Sequence, residues 1–105
     1  MPRPRLHCGL YLITPDERDP AHLFARVTPL LPFAACLQLR AKSMDREALR
    51  DAATRLRVAC REHGVPLIIN DDARLAAEVD ADGVHLGEDD GDIAAARSLL
   101  GNEAI

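Results

Sequence analysis

Aromatic residues are nearly missing from this chain: Tyr11, Phe24 and Phe33 make up 3% of its 105 residues, and there is no tryptophan. A base-stacking platform of the kind that holds single-stranded nucleic acid needs several such rings. A basic excess is missing too. Thirteen Lys and Arg stand against seventeen Asp and Glu, for a net charge of −4, where nucleic-acid binders carry a positive surplus. No apolar run approaches the roughly 20 residues that a helix needs to cross a bilayer. The basic start, Met1-Pro2-Arg3-Pro4-Arg5, is followed by too short an apolar stretch, without a cleavage-site pattern, to read as a secretory signal. The three cysteines, Cys8, Cys36 and Cys60, form no CxxC pair, so neither a zinc site nor a disulfide framework is expected. They read as reduced, buried thiols of a cytoplasmic protein.

What is present is a globular composition, 48% hydrophobic and 29% charged. Residues 9–14 (GLYLIT) are a short β-rich run closed by Pro15. Asp19-Pro20 opens a helix with Leu23, Phe24, Val27, Leu30 and Leu31 at helical spacing, and Pro29 and Pro32 end it. Residues 34–39 (AACLQL) form a second strand. Ser43 or Asp45 caps a long helix whose apolar stripe is Leu49, Ala52, Ala53, Leu56, Ala59 and Cys60, with Gly64 as its stop. Residues 65–69 (VPLII) read as a strand buried on both faces. A short helix over 73–78, a strand over 83–86 (GVHL) and a helix over 92–100 follow. Ala104 and Ile105 look like the start of another strand. The order βαβαβαβα implies an α/β fold with a parallel sheet and right-handed crossovers.

Polar residues gather where three of these strands end. Gln38-Leu39-Arg40-Ala41-Lys42 puts an amide and two cations at the mouth of the sheet, a set suited to an anion such as phosphate, or simply a solvated basic loop. Asn70-Asp71-Asp72 follows the third strand, where Asp71 or Asp72 also qualifies as a helix cap. His85-Leu86-Gly87-Glu88-Asp89-Asp90 follows the fourth, with Asp89, Asp90 or Asp92 as alternative caps. One carboxylate from each acidic cluster, together with phosphate oxygens, would suit Mg²⁺. His85 reads as a packed strand residue, and His7, His22 and His63 as surface positions. Ligands of parallel α/β sheets and of (β/α)₈ barrels bind at the carboxyl ends of the strands, so the three clusters together point to a Mg²⁺–diphosphate site.

The segments GLYLIT (9–14), LQLRAK (37–42), GVPLIINDD (64–72) and ADGVHLGEDD (81–90), in this order and spacing, resemble the thiamine-phosphate synthase family. The resemblance implies a (β/α)₈ TIM-barrel fold. It also implies an enzyme, a transferase joining 4-amino-5-hydroxymethyl-2-methylpyrimidine diphosphate to thiazole phosphate, giving thiamine phosphate and diphosphate, with Mg²⁺ as cofactor. By the same resemblance Gln38 contacts the pyrimidine end, Arg40, Lys42 and Asn70 hold the diphosphate, and Asp71 and Asp90 ligate the metal. Asp89 fits the pattern less well. Where many members have Gly-Gln-Glu-Asp, this chain has Gly87-Glu88-Asp89-Asp90, which adds an acid to the metal site. A thiazole tautomerase-like relative and a non-catalytic phosphate- and Mg²⁺-binding half-barrel are the alternatives. A complete barrel takes roughly 250 residues, so residues 1–105 are expected to be the N-terminal part of a single barrel domain, about its first four βα units. A half-barrel leaves a sheet edge open, and homo-oligomerisation or pairing through that edge is expected.

Overall fold

The structure is a computed structural model, and it describes residues 9–87, 93–101 and 104–105. Asp19 begins the first helix by accepting a hydrogen bond from Ala21 N at 3.0 Å, and Pro20 takes the first helical position, where its missing N–H costs nothing. This helix, α1 (Pro20–Val27), follows strand β1 (Leu10–Ile13). Pro29 and Pro32 stop the α-helical ladder, but the chain does not leave the helical region. It tightens into a 3₁₀ segment, Thr28–Phe33, and so keeps Leu31 buried against the core.

Strand β2 (Ala34–Leu39) leads to α2 (Arg46–Glu62). Asp45, not Ser43, is the cap of α2, accepting from Ala48 N at 2.8 Å. The far end closes in a Schellman motif. Gly64 sits at φ 67°, its N–H reaches Arg61 O, and Val65 N–H reaches Cys60 O. Strand β3 (Leu67–Asn70), helix α3 (Ala73–Glu78), strand β4 (Gly83–His85) and helix α4 (Ile93–Leu100) complete the described elements. The sequence places these elements correctly to within two residues, except that α1 ends at Val27, four residues before Leu31; β3 begins two residues late, beyond Pro66, which has no N–H to give to a ladder.

All four strands pair in parallel in the order β1-β2-β3-β4. Alternation along each strand divides the sheet into two faces. Leu37, Leu39, Leu67 and Ile69 join Ala52, Ala53, Leu56 and Cys60 of α2 in the core on the helix side. Tyr11, Ile13, Cys36, Gln38, Ile68, Asn70, Gly83 and His85 alternate with them on the opposite face. Ile105 continues the pattern. Its N–H bonds Asp82 O at 2.8 Å and its carbonyl accepts from Val84 N at 3.1 Å, which is parallel pairing beside β4. The guanidinium of Arg97 on α4 donates to the carbonyls of Gly101 and Ala104 and ties this segment down. At the other edge, Leu10, Tyr11 and Ile13 of β1 are exposed. Among the described residues, no helix is long and apolar enough to cross a membrane.

Cys36 and Cys60 are free and buried, as expected; Cys8 lies outside the described residues. Burial pushes the Cys60 thiol up to about 12. Only the thiolate is nucleophilic, so Cys60 is expected to resist iodoacetamide in the native chain at neutral pH and to react once urea unfolds it. Mass-spectrometric mapping of the alkylated peptides checks this, and rapid native labelling of Cys60 would refute it.

Candidate functional site

The carboxyl ends of β2 and β3 lie side by side, since Gln38 pairs with Ile68 and Leu39 with Ile69. The residues after each strand therefore emerge at one rim. Lys42 from the first and Asn70, Asp71 and Asp72 from the second line a single cavity of about 270 Å³. A neighbouring cavity of about 250 Å³ is lined by Ile13, Thr14, Asp16, Arg40 and again Lys42. Lys42 belongs to both. Arg40 and Lys42 are exposed, and no ion pair or side-chain hydrogen bond among the described residues occupies either. The arginines of α2 differ: Arg46 and Arg50 pair with acids of α3, and Arg57 and Arg61 with Asp80 and Asp82. Among the described residues, the two cations lining these cavities, Arg40 and Lys42, have no ion-pair partner, and they are the pair that the sequence singled out.

The structure also separates the two aspartates that the sequence left as alternative caps. Asp72 is the cap of α3. Its Oδ1 accepts from Leu75 N at 2.9 Å and its Oδ2 from Arg46 Nη1 at 2.7 Å. Burial opposes its ionisation, but these bonds outweigh burial and hold its carboxyl below the usual carboxylate range. Asp71 is exposed and sits at φ 66°, in the left-handed region that few non-glycine residues adopt. Its N–H donates to His85 O at 2.8 Å, which links the end of β3 to the end of β4. Of these two aspartates, Asp72 is committed to the helix, and Asp71 lines the rim without capping it.

Gln38 is buried, 4% exposed, and its Nε2 donates to the phenol oxygen of Tyr11 at 2.9 Å. Partial burial is the main cause that lifts the Tyr11 phenol above its ordinary pKa. His85 is a correction. It is exposed, not packed, because its side of β4 meets no covering element among the described residues. His22 and His63 are at the surface as expected, and His7 lies outside the described residues. The second proposed metal residue, Asp90, and its neighbours Glu88, Asp89 and Asp92 also lie outside them. Among the described residues, no group of three or more His, Cys, Asp and Glu side chains is arranged to hold a metal ion by itself. Asn70 and Asp71 are nonetheless hard oxygen donors. Mg²⁺ is commonly held by one or two carboxylates with substrate phosphates completing its shell, so the donor set fits that ion.

Sequence reasoning missed Tyr11, Thr14 and Asp16. The signal was available. Thr14-Pro15-Asp16 follows β1 as the other polar clusters follow β2, β3 and β4, so it marks a fourth strand end on the same rim.

Parallel βα units in sheet order, with two cations and a carboxylate at the carboxyl ends of neighbouring strands, define an α/β protein of the (β/α)-barrel type, a class whose ligands bind at that rim. The comparisons with known proteins carry this further. The family described as thiamine monophosphate synthase matches residues 10–105. The thiamine-phosphate synthase of Xanthomonas campestris pv. campestris (strain 8004) is 63% identical over 97 residues, covering 92% of this chain and 47% of that protein. Its counterpart from Xylella fastidiosa (strain Temecula1) is 48% identical over all 105 residues, 44% of its length. Among solved structures, thiamine phosphate pyrophosphorylase from Pyrococcus furiosus matches with a TM-score of 0.77 and 30% identity, over 92% of this chain and 47% of that one. The chain belongs to the thiamine monophosphate synthase family, and it spans about half the length of the curated relatives it matches.

Proposed function

We propose that this chain carries the pyrimidine diphosphate and metal side of a thiamine-phosphate synthase, a transferase that joins 4-amino-5-hydroxymethyl-2-methylpyrimidine diphosphate to thiazole phosphate. One observation supports it above the others: Arg40 and Lys42, without an ion-pair partner, share a rim with Asn70 and Asp71 at the carboxyl ends of β2 and β3. On this reading Arg40 grips the diphosphate oxygens as a fork, Lys42 adds a point charge and Asn70 donates from its amide. Gln38, oriented by Tyr11, meets the pyrimidine end. Asp71, with Asp90, would hold Mg²⁺, which supplies further positive charge to the leaving diphosphate.

The reaction breaks the bond between the pyrimidine methylene carbon and the diphosphate oxygen, and the thiazole nitrogen takes the carbon. No side-chain nucleophile is required. The chain's contribution is fixed positive charge where negative charge develops and orientation of the reacting groups. The domain reading follows: residues 1–105 are the N-terminal part of one barrel domain, supported by matches that cover under half of each relative's length. The partners are small molecules, the compartment is the cytoplasm, and the exposed apolar edge at β1 supports pairing through that edge.

Calorimetric titration of the chain with the pyrimidine diphosphate in the presence of Mg²⁺ tests the central claim. Arg40→Ala is expected to weaken binding roughly tenfold or more, the loss of charge-assisted hydrogen bonds, and added salt should narrow the gap at this exposed site. Equal affinity in wild type and variant would overturn the assignment.

A further inference from the structure

The loop that carries Arg40 and Lys42 lies between β2 and α2 and belongs to neither. Its backbone is bonded instead to the segment that follows β1. Thr14 is 5% exposed, and its hydroxyl accepts from Arg40 N at 3.0 Å while donating to Arg40 O at 3.2 Å. Its own N–H bonds Gln38 O at 2.9 Å. Two residues on, Asp16 takes both polar hydrogens of Ser43, accepting from its N–H at 2.9 Å and from its hydroxyl at 2.7 Å. Arg40 and Ser43 bracket Lys42, so the loop is fastened on either side of its lysine.

The sign of the charge makes this arrangement informative. Asp16 lines the same cavity as Arg40 and Lys42. The Ser43 bonds, side chain first and then backbone, hold its carboxyl below the usual range, with smaller help from Arg18 and Lys42. An ionised carboxylate at the rim of an anion site repels the anion that the two cations attract. Its presence there therefore needs a benefit other than charge, and the bonds to Ser43 supply one.

We propose that Thr14 and Asp16 are positioning residues for the diphosphate-bearing substrate, fixing loop 40–43 so that Arg40 and Lys42 face the same group of phosphate oxygens. The proposal rests on the reading of Arg40 and Lys42 given above. A loop held in its binding geometry loses less freedom when the ligand arrives, and affinity rises accordingly.

The test is calorimetric titration of the chain with inorganic diphosphate and Mg²⁺, comparing wild type with Asp16→Ala, Asp16→Asn and Arg40→Ala. Asp16→Ala removes both bonds and the charge, and it is expected to bind roughly fivefold more weakly, the equivalent of one or two lost hydrogen bonds. Asp16→Asn keeps an acceptor for Ser43 N–H and offers its amide to the Ser43 hydroxyl, but lacks the charge. It is expected to bind at least as tightly as wild type. Charge alone would make both variants bind more tightly, and a role in general folding would lower the active fraction of both without separating their dissociation constants. Thr14→Ser, which retains the hydroxyl, should bind like wild type, whereas Thr14→Val should weaken binding as Asp16→Ala does. Asp16→Ala binding as tightly as wild type, while Arg40→Ala binds weakly, would overturn the positioning role and leave the underlying reading intact. Absence of diphosphate binding by the wild-type chain, or an unchanged Arg40→Ala, would overturn that reading and the proposal with it.

Discussion

Asp82→Ala is expected to destabilise the chain by about 3–5 kcal/mol, the range for removing one partner of a buried ion pair. Asp82 is fully buried at the end of the sheet opposite the candidate site. One of its oxygens accepts from Leu67 N at 2.8 Å and the other from Arg61 Nη2 at 3.2 Å. Alanine leaves the first N–H of β3 without its carboxylate acceptor and takes the buried partner from the Arg61 guanidinium, whose side chain is 16% exposed and which keeps the Asp80 carbonyl at 3.3 Å. Domains of this kind hold only about 5–15 kcal/mol in total, so the variant should lose a large part of its stability in a urea titration. Asp82→Asn keeps an acceptor for Leu67 and should fall between wild type and alanine. A solvent-exposed pair such as Arg55–Asp51 on α2 is a suitable control, since its loss costs at most about 0.5 kcal/mol. A cost for Asp82→Ala no larger than that control would show that water replaces the pair.

Gly83→Ala carries the second largest expected effect, and its sign is the test. Ordinarily, replacing glycine by alanine where the backbone can accept it stabilises a protein by about 0.4–1 kcal/mol, through the unfolded state. Gly83 lies in β4 and is not among the glycines with positive φ. A Cβ added there, however, would run into the carbonyl group of Ile105 and approach its Cβ. That carbonyl is main chain, held by Val84 N–H while Ile105 N–H holds Asp82 O, so it cannot swing aside as a side-chain end can. The expected result is a loss of about 1–3 kcal/mol, as for other overpacked sites, with faster amide exchange at Val84 and Ile105. A more stable Gly83→Ala would mean that the segment at Ile105 does not dock as described.

The elements of this chain are well marked in its sequence because each carries its own boundary chemistry. Asp19-Pro20, the α2 stripe from Leu49 to Cys60, Gly64, and the apolar run ending at Ile69 all state their geometry locally. The 3₁₀ segment was less legible. Prolines announce the end of an α-helix, but whether the chain then turns away depends on the tertiary pull on Leu31, which is fully buried. The candidate site divides in the same way. Gln38, Arg40, Lys42, Asn70 and Asp71 were legible because strand ends in a parallel sheet face one rim. Which of Asp71 and Asp72 caps α3, and which of Ser43 and Asp45 caps α2, was not, since each pair offers the same oxygen one or two positions apart. Those choices are settled by residues distant in sequence: Arg46 takes the second oxygen of Asp72, and Asp16 takes Ser43. His85 was misread as packed because alternation names a face of the sheet without saying what covers it.

The hydrogen bond between Gln38 and Tyr11 has a practical consequence. With one tyrosine and no tryptophan in the chain, nearly all of its intrinsic ultraviolet emission comes from a single ring. That ring is on the same face as Gln38, with its hydroxyl bonded to the Gln38 amide, and hydrogen bonding at the phenol alters how a tyrosine emits. The chain therefore carries a native optical reporter at the candidate site. Titrations and unfolding curves of the variants above can be followed without a label, and every change in tyrosine emission refers to one known ring.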